Sequence, residues 1–456
     1  MSSLQVTPDG YKQTEVGMIP EDWDVSPLNE VCSFGGGTTP PRAQHDRYFV
    51  NGSNNWVKTT DLNNSLIDVS EEQITDLALS ETGLKKHPVG SVLVAMYGGF
   101  NQIGRTGYLT KPSAINQALV AVKPKPKKIN SYYLLSELNY KVDYWKGVAS
   151  SSRKDPNITS NDVKNYVIAL PSIEEQNTIA NALSDVDALL GELEKLIAKK
   201  QAIKTATMQQ LLTGKTRLPQ FATYADGDKE GQVKGTKTTE LGEIPEDWDV
   251  EKVNGFTDCT AGGTPSTKIS SYWGGNNPWM SSGELHLKRV YDVAERITDI
   301  GLESSSTKYI PKDSVLMGLA GQGKTRGTVA ISKITLCTNQ SIAAIFPSEK
   351  HSTDYLYYNL DHRYEELRGL STGDGGRGGL NLSIIRNLKI PFPKLEEQSA
   401  IAITLSDMDE EIQALKQRLS KTRQIKQGMM QELLTGKTRL PFEKGDTKSQ
   451  GEPDAN

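Results

Sequence analysis

The chain is written twice, and a duplicated unit has to fold twice on one plan, which constrains the architecture more than any composition can. TEVGMIPEDWDV begins at Thr14 and TELGEIPEDWDV at Thr239, with ten of twelve positions identical at an offset of 225. ITDLAL at Ile74 returns as ITDIGL at Ile297, SVLVA at Ser91 as SVLMG at Ser314, and Asn116-Gln117 as Asn339-Gln340, all at an offset of 223. Leu170 to Pro219 aligns without a gap to Phe392 to Pro441, with 25 of 50 positions identical. Both blocks open with a proline and Glu-Glu-Gln and close with LLTGKTRLP. The edges and C-terminal arms of the two copies agree, while their middles have diverged. That pattern describes a shared scaffold carrying two differently specialised surfaces.

Within the first arm the apolar residues Ile179, Leu183, Val186, Leu190, Leu193 and Ile197 follow one another in steps of four and three, and Ile401, Leu405, Met408, Ile412, Leu415 and Leu419 repeat the series in the second. Such steps are the heptad seam of a coiled coil. Pro171 and Pro393 stand just upstream as helix starts, and Gly214 and Gly436 as C-terminal stops. The spacing predicts two helices of about 38 residues, roughly 57 Å each at the α-helical rise. A lone helix of this kind gains little until its stripe is buried. The stripe has two possible covers, the globular part of its own copy or the arm of the other; strict spacing favours helix against helix.

The remainder divides accordingly. We expect an N-terminal tail over 1–13, a globular domain over 14–169, a helical arm over 170–219, a polar, Gly-rich linker over 220–238, a second domain over 239–391, a second arm over 392–441 and a disordered tail over 442–456. Short β-rich runs such as SVLVAMY and TVAIS alternate with Gly, Pro and Asn clusters, and helical stretches recur near Tyr132 to Tyr144 and Thr353 to Leu367. The expected fold is therefore mixed α/β: two globular domains joined by two long antiparallel helices in a coiled coil, related by a pseudo-two-fold axis.

A formal net charge of -4 argues against a protein that coats nucleic acid by bulk attraction, but leaves room for local basic clusters that contact phosphates. Two pairs of loops combine glycine with basic residues at matching places: GGFNQIGRTG at Gly98 with GQGKTRG at Gly321, and ASSSRKD at Ala149 with STGDGGRGG at Ser371. Glycine lets a backbone approach a phosphate, and arginine pairs bidentately with phosphate or guanine. Asn101, Arg105, Arg153, Lys154, Lys324, Arg326 and Arg377 are accordingly the candidate DNA contacts, although loops of this composition also serve as plain solvent-exposed turns.

Two motifs mislead. Gly318 to Thr325 reads GLAGQGKT, a literal phosphate-loop pattern, but that motif needs a following helix to aim its amides at phosphates, and the β-branched RGTVAISKITL follows instead. Asn277-Pro278-Trp279 faintly resembles the base-holding motif of amino-methyltransferases, yet it aligns with Asn54-Asn55-Trp56 of the first copy and reads as repeated scaffold. The three cysteines and five histidines are scattered without metal-ligand spacing, and a reducing cytoplasm suits such cysteines. No apolar run is long enough to span a bilayer, and the polar N-terminus lacks the layout of a signal peptide. No catalytic residues and no metal site are assigned.

Two copies of G-x-I-P-x-x-W, each followed by a variable domain, then P-x-[IL]-E-E-Q and a long helix ending in LLTG, resemble the specificity subunits of type I restriction–modification enzymes, over residues 14 to 441. The matching scaffold positions are Gly17, Pro20, Trp23, Glu175, Gln176 and their second-copy equivalents. The resemblance implies a non-catalytic subunit whose two domains each read half of a split, asymmetric site in double-stranded DNA. It implies helices that dock two modification subunits, which bind S-adenosylmethionine and methylate adenine, and restriction subunits that use ATP and Mg. It offers no fixed positions for base reading. The competing expectation is a two-domain coiled-coil scaffold with no DNA role.

Overall fold

A computed structural model of the chain describes residues 8–99, 101–150, 157–321, 324–370 and 379–442. The β-rich runs of the first copy become a five-stranded sheet of β1 (Cys32–Gly36), β2 (Ser65–Ile67), β3 (Val92–Ala95), β4 (Thr106–Leu109) and β5 (Leu119–Pro124), in the order β1-β5-β3-β4-β2. The second copy repeats it with β6 (Cys259–Ala261), β7 (Arg289–Val290), β8 (Val315–Gly318), β9 (Val329–Ser332) and β10 (Ile342–Ile345), ordered β6-β10-β8-β9-β7. All neighbours are antiparallel except the β2–β4 and β7–β9 pairs. A three-stranded sheet accompanies each, centred on Asn54–Val57 in the first copy and Trp273–Met280 in the second.

The unbroken apolar runs have a packing cause. Side chains on a strand point alternately to its two faces, and a central strand covered on both must be apolar throughout. Val92 and Val94 of β3 enter one core while Leu93 and Ala95 enter another. In β8, Val315 and Met317 face one core and Leu316 the other.

Four helices hold the sheets in place: α1 (Ser131–Tyr140), α2 (Ile173–Leu212), α3 (Thr353–His362) and α4 (Leu395–Leu433). Asn130 caps α1 and Ser352 caps α3 by accepting backbone N–H bonds. The long helices α2 and α4, of 40 and 39 residues, open with glutamates in their first turns, where the helix dipole favours negative charge. Shortly beyond their ends Gly214 and Gly436 take left-handed φ of 70°. A Cβ on Gly214 would sit 2.3 Å from Pro245, and one on Gly436 2.4 Å from Pro20, so glycine is required there twice over.

The chain forms two compact units, one of residues 1–194 with 417–456 and one of residues 195–416. Each unit thus holds the start of its own copy's long helix and the end of the other copy's. In the first, Asp187 pairs with Lys426 at 2.6 Å and Glu194 with Arg423 at 2.6 Å; in the second, Lys200 pairs with Glu411 at 2.6 Å and Lys204 with Asp409 at 2.5 Å. Residue numbers rise on one helix as they fall on the other, so within each unit the helices run antiparallel. Tyr132 of α1 donates to Asp187 at 2.6 Å and Tyr358 of α3 to Asp409 at 2.8 Å, which ties each globular part to the same rung.

A clasp closes each unit. In the first, the Trp23 indole donates to Glu175 at 3.1 Å, while Arg439 donates to both oxygens of Glu175 at 2.8 and 2.6 Å and to Asp22 at 2.9 Å. In the second, Trp248 donates to Glu397 at 3.0 Å, and Arg217 donates to Glu397 at 2.9 and 2.6 Å and to Asp247 at 2.8 Å. The arginine comes from the opposite copy in both cases. Gln176 and Gln398, the last residues of the Glu-Glu-Gln motifs, are buried and accept from the backbones of Asn130 and Ser352 at 2.9 Å, fixing each long helix to the cap of α1 or α3. Burial alone would raise the Asp247 pKa, but hydrogen bonds from Lys234 and Arg217 outweigh it and hold the carboxyl below its ordinary range.

The heptad seam finds both of its possible covers. Ile179 and Leu183 join the first globular core together with Met430 and Leu433 from the far end of α4, and Ile401 and Leu405 join the second with Met208 and Leu211 from the far end of α2. Leu193, Ile197 and Ile412 are buried beyond the globular cores, and Val186, Leu190, Met408, Leu415 and Leu419 are half-buried. The stretch over 220–238 carries a short helix (Pro219–Ala222) and a strand (Thr236–Thr239) paired with Gly242–Pro245, and Lys234 donates to Asp247 at 2.8 Å. It is therefore built into the second unit rather than trailing as a coil. Residues 443–456, where a disordered tail is expected, lie outside the described residues. No described helix is long and apolar enough to cross a membrane.

The Arg217 side chain is 8% exposed and that of Glu397 3%, so Arg217→Ala strands a buried carboxylate; such losses cost about 3–5 kcal/mol. Arg439 is 35% exposed, and Arg439→Ala should cost less because solvent screens the charge. Hydrogen exchange should show Arg217→Ala, a change in the first copy's arm, loosening the second unit; loosening confined to the first unit would contradict the clasp.

Glu137 of α1 lies inside the first unit, its Oε2 without a hydrogen-bond partner, and burial pushes its pKa from 4.5 up to about 7. A carboxyl whose folded pKa is raised keeps its proton longer when folded, so stability falls as pH rises from about 4.5 to about 7 and then levels. The aligned residue of the second unit is Asn359. Glu137→Gln should flatten that part of the stability–pH curve; an unchanged curve would show that the proton is held elsewhere.

Candidate nucleic-acid interface

The antiparallel order brings the C-terminal ends of β1 and β3 and the N-terminal ends of β4 and β5 to one end of the first sheet, with Gly36 opposite Val120, Ala95 opposite Leu119 and Val94 opposite Thr106. Three loops leave from that end: 37–41 after β1, 96–105 between β3 and β4, and 116–118 before β5. Backbone bonds bind them together. Met96 N–H donates to Ala118 O at 2.8 Å and Ile158 N–H to Met96 O at 3.1 Å, so the chain following 151–156 returns to the same place. The second unit repeats this: Leu319 N–H donates to Ser341 O at 2.8 Å and Leu380 N–H to Leu319 O at 2.9 Å. The two Gly-and-basic loops expected separately from sequence thus meet at their bases in each unit.

Asn101 is exposed near the tip of the first loop, and Arg105, half-buried, turns back to donate to the Asn101 carbonyl at 3.0 Å. The loop lies on Trp145, which a Cβ at Gly104 would approach to 2.7 Å. In the second unit Lys324 is exposed and its carbonyl accepts from Tyr364 at 3.0 Å, while Arg326 is half-buried in the same loop. Lys324 lines an open cleft with His286, Lys288, Thr328, Tyr364 and Arg368, where Asp361 and Glu365 offset part of the positive charge. Arg153, Lys154 and Arg377 lie outside the described residues.

The GLAGQGKT stretch leaves the end of β8 and turns at Arg326-Gly327 into β9, so the helix that a phosphate loop requires does not come after it. Asn277-Pro278-Trp279 lies within a strand. The Trp279 indole donates to Gly263 O at 3.0 Å and Asn277 to Asp299 at 2.9 Å, as Trp56 donates to Thr38 O at 3.1 Å and Asn54 to Asp76 at 2.9 Å. These are scaffold bonds repeated in both copies. His87, held down from its ordinary pKa by burial, is neutral near pH 7 and bonds Gly36 O at 3.2 Å. Among the described residues no group of three or more His, Cys, Asp or Glu could hold a metal ion, and the three cysteines are buried and unbridged.

Sequence reasoning passed over one feature at this sheet end. Thr39, just beyond β1, donates to the Gln117 side-chain oxygen at 2.5 Å, and Thr264 bonds Gln340 in the same way. Asn116 and Asn339 shape the turns beneath by accepting from the backbones of Ala118 at 3.1 Å and Ser341 at 3.2 Å. The available signal was the return of Asn-Gln at the same offset inside otherwise diverged middles.

The family model for the type I restriction modification DNA specificity domain matches twice, over residues 20–205 and 245–424. The MjaVIII specificity subunit of a type I restriction enzyme from Methanocaldococcus jannaschii is 25% identical over 445 residues, covering 95% of this chain and 96% of that protein. The MjaIX specificity subunit of the same organism is 35% identical over 190 residues, 40% of this chain and 42% of that protein. A crystal structure of a type I restriction–modification S subunit from M. genitalium superposes with a TM-score of 0.58 at 13% identity, over 90% of this chain and 96% of that one, and shares the fold. With the family's domain matched twice across most of its length, on two units of one topology, the chain belongs to the type I restriction–modification DNA specificity subunits and carries two tandem target-recognition domains.

Proposed function

We propose that each unit reads one half of a bipartite, asymmetric site in double-stranded DNA through the loops gathered at its sheet end, and that α2 and α4 set the unread spacer and dock two modification subunits. The observation that carries this reading is a contrast. The clasp and the sheet order are the same in both units, whereas the loops at the sheet end differ in sequence and charge: 96–105 carries Arg105 alone, while the equally long 319–328 carries Lys324 and Arg326. Phosphate contacts position a protein and base contacts specify, so a common frame with unlike loops suits two readers of different half-sites. Asn101, Arg105, Lys324 and Arg326 are the proposed DNA contacts among the described residues, and Arg153, Lys154 and Arg377 complete the set. The buried seam residues pack the helices, which leaves outward-facing side chains of α2 and α4 to meet a partner.

The chain itself performs no chemistry in this reading. S-adenosylmethionine belongs to the modification subunits, and ATP and Mg to restriction subunits that join them. Replacing residues 245–390 with the matching domain of another family member tests the division of labour. Methylation mapping should then return one altered half-site and one unchanged; a change in both would contradict it.

A further inference from the structure

The Thr39–Gln117 and Thr264–Gln340 pairs occupy equivalent places in two domains whose surfaces have otherwise parted. Retention between the copies has an evident structural cause where the side chain is buried, as with Asn54 and Asn277. Gln117 and Gln340 are exposed, and a hydrogen bond to an exposed amide adds little to a core. What the bond does is orient the amide. With the carbonyl oxygen occupied by a threonine hydroxyl, the amide nitrogen of each exposed glutamine remains as the donor, and among the described residues it has no hydrogen-bond partner.

Each threonine is itself held. Gly37, two residues before Thr39, lies against the Ile115 carbonyl, which a Cβ would approach to 1.8 Å; Gly262, two residues before Thr264, lies against the Thr338 carbonyl at 2.1 Å. The Trp56 and Trp279 indoles anchor the backbones of Thr38 and Gly263. Each sheet end therefore presents one fixed, neutral N–H donor beside the Gly-and-basic loops. We propose that Gln117 and Gln340 donate to the phosphate backbone of DNA, one in each half-site, and act as sequence-independent positioning residues. A group presented alike by two domains that read different sequences does not tell those sequences apart. Glutamine is a recognised phosphate donor, and such contacts fix register and orientation. This rests on the reading of the units as half-site readers.

The test uses the full chain assembled with its modification subunits. Binding is measured to a duplex carrying the site returned by methylation mapping and to a scrambled duplex. Gln117→Ala and Gln340→Ala should each weaken binding to both duplexes by a similar factor, on the order of tenfold for a bond to a charged acceptor. The salt slope should stay unchanged, because a neutral donor releases no counterion. Gln117→Glu keeps an oxygen for Thr39 but turns a second oxygen outward, so it should bind more weakly than the alanine variant at an unaltered melting temperature. Weaker binding to the cognate duplex alone, or a changed base at one half-site, would overturn the proposal in favour of base reading. Unchanged binding with a lowered melting temperature would overturn it in favour of a purely structural turn. Failure of the unsubstituted complex to prefer its own site would instead defeat the half-site reading itself.

Discussion

In each unit an arginine from the opposite repeat fills the space between a buried glutamate, an aspartate and a tryptophan indole. A carboxylate withdrawn from water costs several kcal/mol unless it is paired and hydrogen-bonded. With Glu175 2% and Glu397 3% exposed at the side chain, the indole alone is a poor substitute for a guanidinium. Neither repeat supplies its own. The antiparallel course of α2 against α4 within a unit is the consequence, because only the far end of the other helix brings LLTGKTRLP to the IPEDW turn. The left-handed glycine after each helix, pressed against the proline of that turn, sets the same requirement in steric terms.

Much of this was legible in the sequence because it is periodic or repeated. The heptad steps gave both long helices, Gly214 and Gly436 their ends, and the duplication a fold in two copies. How the seam is shared between its two covers was not legible: strict spacing favours helix against helix, and the long helices do pack together, yet Ile179 also meets a globular core with the far end of α4 packed into it. Nor was the destination of Arg217, since sequence proximity joins it to its own copy and the structure joins it to Glu397. The polar stretch over 220–238 reads as a linker because its order comes from strand pairing and polar contacts, such as Thr236–Thr239 against Gly242–Pro245, Lys234 to Asp247 and Gly235 N–H to Glu246, rather than from apolar spacing.

At the sheet end the balance was different. The Gly-and-basic loops could be picked out singly from composition, but their meeting depends on strand order, which no local pattern encodes. Thr39 and Gln117 stand 78 residues apart and become neighbours only through the β1–β5 pairing. The phosphate-loop match failed for a local reason that the sequence did carry, β-branched residues where a helix would start, and the strand found there agrees. Scaffold and loops thus separate physically: buried charge and left-handed glycines hold the frame, while exposed loops are free to differ between copies.

The most direct test of this arrangement is a double-mutant cycle on the Asp187–Lys426 rung. Asp187 should couple to Lys426, its partner at 2.6 Å from the opposite repeat, and not to Lys204, which lies on its own helix. Alanine substitutions at 187 and 426, singly and together, should show a coupling of about 0.5–3 kcal/mol in unfolding free energy, the range for residues in contact. The pair 187 and 204 should be additive. Coupling between 187 and 204, with none between 187 and 426, would mean that each repeat closes on itself, and the exchange of helix ends between the repeats would be wrong at its base.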